Sequence, residues 1–137
     1  MRFILQLMTL LTLAVMLGSC TIAVNPDRSG TIYIGDPVTS RGSDDQGVPL
    51  DPTKTFKTSD KKIYCTVTIQ GPNGVRLGAR WFYEDKLVHD VILDYGTHRI
   101  GVWSLEPPGG QFPAGQYRVE IYLLKDPIKV VTFEVIE

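Results

Sequence analysis

The chain has 137 residues, 14 Lys+Arg against 15 Asp+Glu, a formal net charge of −1 and 43% hydrophobic residues. That length suits one domain, and near-balanced charge without a basic run excludes the clustered positive surface that nucleic acid requires. With only two cysteines, Cys20 and Cys65, a disulfide-rich scaffold is excluded as well.

Residues 1–19 begin with Arg2, continue as an apolar run from Phe3 to Leu17 broken by Gln6, Thr9 and Thr12, and end on Gly18 and Ser19. A positive start, a short apolar stretch and a small-residue end describe a secretory signal peptide. The run is too short for a spanning helix, which needs about 20 residues. Leu17-Gly18-Ser19-Cys20 resembles the lipobox of bacterial lipoproteins: an aliphatic residue, two small residues, then cysteine. The resemblance implies that the Cys20 thiol receives a diacylglycerol and that the signal is cut just before it. Cys20 is thus the expected lipidation site and membrane partner, and the expected location is the cell envelope. Thr21 follows Cys20, in place of an aspartate; by resemblance to the lipoprotein sorting rule of enteric bacteria, this implies the outer rather than the inner membrane where an organism has both. One acyl chain binds only marginally, whereas two or more hold.

Residues 20–50 are rich in Gly, Ser, Asp and Pro and read as a tether, with a short strand candidate at 31–34. This segment either swings freely or docks on the domain that follows. Residues 51–137 carry strand candidates at 54–58, 62–70, 75–84, 86–94, 97–105, 116–124 and 128–136, separated by turn residues such as Gly71-Pro72-Asn73-Gly74 and Lys125-Asp126-Pro127. Short strands spaced in this way predict an all-β sandwich or barrel. Ile63, Cys65, Val67 and Ile69 alternate with Tyr64, Thr66, Thr68 and Gln70, the period of a half-buried strand. Cys65 therefore shares an aliphatic face; it reads as a small buried hydrophobe, with a reactive or intermolecular thiol as the alternative. Leu87, Val91 and Leu93 alternate with Val88 and Ile92, so the faces of 86–94 stay unassigned.

Cys65 on one strand, Trp81 on the next and the segment Pro113-Ala114-Gly115-Gln116-Tyr117-Arg118-Val119 resemble an immunoglobulin-like sandwich of about seven strands in two sheets. The resemblance implies that Tyr117 forms a tyrosine corner, its hydroxyl bonding an upstream backbone group. Val119 stands where the second cysteine of the family would be, so the inter-sheet disulfide is absent, as in fibronectin-III-like relatives. The architecture hosts many unrelated roles.

Catalytic constellations are scarce. His89 and His98 lack metal-ligand spacing, and Ser104 with Asp90 and Asp94 forms no recognisable nucleophile motif. Asp36, Asp44, Asp45 and Asp51 offer oxygen ligands to calcium but no EF-hand spacing; solvated loop carboxylates are the plainer reading. The expected outer face of the sandwich carries Arg80, Phe82, Arg118 and Tyr122, aromatics framed by arginines of the kind favoured at binding surfaces. Phe82 and Tyr122 are expected as neighbours there. The sequence thus implies no enzyme and no cofactor. Its leading reading is a lipid-anchored envelope protein whose sandwich is a binding or structural module for another envelope protein or a glycan. The alternative is an accessory or regulatory subunit of an exported enzyme or secretion complex.

Overall fold

The computed structural model describes residues 32–71, 75–95 and 99–137. Cys20, the signal segment and its cleavage site, Thr31 and His98 lie outside the described residues. Ten strands follow in order: β1 (Tyr33–Ile34), β2 (Val38–Ser43), β3 (Pro49–Pro52), β4 (Thr55–Lys57), β5 (Ile63–Gln70), β6 (Val75–Tyr83), β7 (Lys86–Tyr95), β8 (Ile100–Leu105), β9 (Gly115–Leu123) and β10 (Asp126–Ile136). No α-helix occurs among the described residues.

The strands form two sheets. In the first, β5 is flanked by β8 on one side and by β1 and β2 on the other, with β3 beyond β2. The pairs Ile34↔Ile69 and Val38↔Thr66 continue along the same side of β5, so β1 and β2 form one strand interrupted at Gly35-Asp36-Pro37. Proline cannot donate to a ladder, and a side chain at Gly35 would collide with Thr68. The second sheet runs β4-β10-β9-β6-β7; all its pairs are antiparallel except β4 against β10. Arg41 on β2 ties the sheets together, reaching Asp51, Asp60 and the carbonyl of Thr55 and lying over Phe56 of β4.

The alternation of period two explains the core. Ile63, Cys65, Val67 and Ile69 from β5 meet Leu77, Ala79 and Trp81 from β6, Val119 and Ile121 from β9 and Val131, Phe133 and Val135 from β10, all buried. Phe133 sits at the centre, edge-on to Phe56 (5.3 Å) and Trp81 (6.2 Å) and stacked on Tyr117 (5.1 Å). Without an inter-sheet disulfide, stability rests on this packing, and edge-to-face pairs of this kind add about 0.5–1.5 kcal/mol each beyond area burial.

The predicted strands from 54 onward all form, in a two-sheet sandwich, and the short strand expected at 31–34 forms as Tyr33–Ile34. The expected domain boundary at residue 51 falls inside β3 (Pro49–Pro52). Residues 33–50 belong to the first sheet, and Lys129 on β10 pairs with Asp36 at 2.9 Å. Of the two readings, residues 33–50 are docked, and residues 20–31 lie outside the described residues. Its Gly, Pro and Asp content marks the turns between short edge strands.

Candidate functional site

The tyrosine corner implied by the immunoglobulin resemblance is present: Tyr117 Oη donates to the carbonyl of Pro113 at 2.7 Å. Burial pushes its phenol up to about 12. Tyr83 makes a second clamp, donating to the carbonyl of Ala114 at 3.0 Å. Between them they fix the loop that enters β9.

The four residues of the expected outer face lie on β6 and β9, but they are organised differently from the expectation. Gly78 pairs with Tyr122 and Phe82 with Arg118, with the pair Arg80–Glu120 between them. Phe82 and Tyr122 are thus kept apart, which corrects the expected aromatic pair. Each ring is instead capped by its own arginine, Arg118 over Phe82 at 4.0 Å and Arg80 over Tyr122 at 3.9 Å. Arg118 pairs further with Asp85 and Glu120, and Arg80 with Asp90. Tyr122 Oη donates to Asp90 Oδ1 at 2.7 Å, and burial together with that bond raises its phenol pKa. Tyr122 is also 3% exposed, not an open aromatic. It lies flat because its partner is Gly78: a β-carbon there would fall inside the ring. The face is a ladder of cations and rings that satisfies itself, with half-buried Phe82 as its accessible part.

The feature that periodicity left unassigned is more open. β7 is the outer strand of its sheet, ten residues paired on one side only, to β6. Leu87, Val88, Ile92 and Leu93 are all exposed, so both of its faces are apolar at the surface. The ambiguous alternation of the sequence reflects a strand on which only Val91 packs against the core while four apolar neighbours stay exposed.

A cavity of about 350 Å³ opens where the β6–β7 and β8–β9 connections meet, lined by Tyr83, Val88, His89, Ser104, Leu105, Glu106, Pro108, Phe112, Pro113 and Tyr117. It gathers His89, Ser104 and Glu106, but no hydrogen bond joins them, and Glu106 is paired with Lys62 at 3.0 Å. Phe112 was missed by the sequence reading: it follows Gly109-Gly110-Gln111, outside any strand period, yet it is buried. The loop aspartates are occupied locally. Asp44 accepts from the backbone of Gln46 and Val48, Asp51 pairs with Arg41 and Asp36 with Lys129. Among the described residues no group of three His, Cys, Asp or Glu is placed to hold a metal ion. Cys65 is fully buried, and burial pushes its thiol up to about 12; thiolate chemistry is suppressed there.

Fold and sites together define a two-sheet β-sandwich with a tyrosine corner at the entry to β9. No protein-family model and no curated protein matches the chain. Among solved structures, the crystal structure of the CARDB domain of the PF1109 protein from Pyrococcus furiosus, in complex with di-metal ions, is similar at 14% identity and TM-score 0.46, over 79% of this chain and 96% of that one. A solution structure of the same domain gives 17% identity and TM-score 0.33, over 74% and 94%.

Proposed function

We propose that the chain is a lipid-anchored protein of the cell envelope, attached through Cys20, whose sandwich is a non-catalytic binding module. The anchor and location rest on the signal segment and the Leu17-Gly18-Ser19-Cys20 motif. The observation that carries the binding role is β7, a ten-residue edge with its outer backbone groups unpaired by any described strand. Such an edge accepts an extended segment by main-chain pairing, with pockets for alternate side chains giving selectivity. A partner protein supplies such a segment and a glycan does not, so the edge favours a protein partner. The accessory-subunit reading uses the same edge and differs only in what the partner does. Arg80, Phe82, Arg118 and Tyr122 stiffen the neighbouring β6–β9 pair, with Phe82 as the rim of the contact.

The test is site-specific photocrosslinking of the full chain in intact membranes. A photoreactive residue at Leu87 on β7 should form a discrete adduct; one at Leu50 on β3, which is equally exposed, should not. The adduct from position 87 should vanish in an Ile92→Lys background. The same adducts from both positions, or none from position 87, would refute the role of the edge. Normal processing and membrane attachment of Cys20→Ser would refute the anchor.

A further inference from the structure

We propose that the β9–β10 hairpin is a second membrane contact, with Leu124 entering the interfacial layer of the phospholipid bilayer that holds Cys20. The inference rests on the lipid-anchor reading and extends it to the orientation of the domain.

Two hairpins of the second sheet can be compared. Register pairs Tyr83 with Lys86 and Leu123 with Asp126, so each turn has two residues. The first turn is Glu84-Asp85, both at positive φ. The second is Leu124-Lys125, with Leu124 at φ 62. Positive φ at a turn favours glycine, asparagine or aspartate, and for a bulky residue it is strained. Leu124 is also 87% exposed, so no packing compensates that strain. A residue that is both strained and solvated implies a use outside the folded chain.

Its position says what that use is. Ile32, the first described residue, lines a groove together with Ile92, Leu123 and Leu124. The chain arriving from Cys20 therefore joins the sandwich beside this hairpin. Eleven residues, Thr21 to Thr31, separate Cys20 from Ile32; fully extended they reach at most about 40 Å. Tethers of that length impose an effective concentration in the millimolar range, so a weak interfacial contact suffices. The nine-residue β9 sets the two ends of the sandwich about 30 Å apart at 3.3 Å per residue, and the cavity with Tyr117 and Phe112 belongs to the far end. Exposed Ile92 borders the same groove. Beside it, the Lys125 ammonium makes no ion pair among the described residues and suits an anionic headgroup. Helices bound in this manner sink about 5–10 Å below the surface, a depth that a turn-tip leucine matches.

The experiment uses the full lipidated chain in phosphatidylcholine/phosphatidylglycerol vesicles whose acyl chains are brominated close to the headgroup. Trp81 and Trp103 are buried and give a constant background. Leu124→Trp should show blue-shifted emission and lose most of it to bromine, whereas Gln111→Trp, an exposed position at the far end, should be unaffected. Leu124→Gly should raise the melting temperature by relieving the turn while making backbone amides 123–126 exchange with solvent faster on vesicles. If vesicle-bound Leu124→Trp and Gln111→Trp give the same emission and the same quenching, the contact is overturned and the anchor is left intact. A drop in melting temperature for Leu124→Gly makes the leucine structural and also overturns it. Recovery of a chain without lipid on Cys20 removes the anchor reading, and this proposal falls with it.

Discussion

Gly78→Ala is the sharpest probe of how the outer face is built. In a strand, alanine should improve on glycine by about 0.5–1 kcal/mol, because glycine loses more conformational freedom on folding. At position 78 the added methyl would fall inside the Tyr122 ring, and the ring cannot sink, since the sheet is beneath it. Displacement would break the Arg80 stacking at 3.9 Å and the hydrogen bond to Asp90 at 2.7 Å. A cation–π contact contributes about 0.5–1 kcal/mol and a hydrogen bond to a charged group about 1.5–3. After partial relaxation and the backbone gain, a net loss of about 2–3 kcal/mol is expected, within the range for overpacking. The assay is a double-mutant cycle by urea unfolding, followed by Trp fluorescence, with the m-value as a control. In a Tyr122→Ala background, Gly78→Ala should be neutral or stabilising, giving a coupling of about 2–4 kcal/mol. Equal costs in both backgrounds would mean that no ring lies over Gly78.

Trp81 and Cys65 probe the core. Trp81→Ala should cost about 3–5 kcal/mol, but Trp81→Phe far less than that, because the buried indole N–H has no hydrogen-bond partner to lose; equal costs in urea titrations would refute this. The Cys65 thiol is raised by burial from 9.0 to about 12, so the unfolded chain releases its proton first. Stability from this group is full below pH 9 and falls as pH climbs toward 12, by up to about 1.4 kcal/mol per unit. Unfolding titrations between pH 8 and 10.5 should show that fall in the parent and a flatter profile in Cys65→Ala; the same slope in both would assign the fall to other groups.

Strands whose two faces differ were readable from composition and period. β5 alternates apolar and polar along its length, and Cys65 took the buried place that the alternation assigns, although Thr66 on the other face is buried too. The corner at Tyr117 was readable because a turn residue and a tyrosine two positions before a buried residue form a local motif. What stayed hidden depends on strand pairing. Nothing local to Tyr122 shows that a glycine lies opposite, so it read as exposed when it is covered. Phe112 read as loop because a single 3₁₀ turn at Pro108–Gly110 brings it back to the core. Residues 33–50 read as tether because edge strands are short and carry Pro and Gly, the devices that keep edges from pairing further.

That rule makes β7 the strand to test. The other outer strands are blunted by brevity: β3 has four residues with prolines at both ends, β4 has three and β8 six. β7 has ten and no proline, and its four exposed apolar side chains stand on both faces. Its charges, Lys86, Asp90 and Asp94, include two already committed within the fold: Asp90 to Tyr122 and Asp94 to Arg76 at 2.6 Å. An edge so long and so weakly protected would self-associate unless its normal state is covered. Val88→Lys/Ile92→Lys should leave unfolding free energy within about 0.5 kcal/mol, since both side chains are solvated and surface changes of this kind are small. The same variant should abolish concentration-dependent association of the purified protein in sedimentation experiments and the photoadduct from position 87. Loss of stability instead would mean that the two side chains pack on this fold. Unchanged association together with an unchanged adduct would place the binding surface elsewhere and return attention to the cavity beside Tyr117.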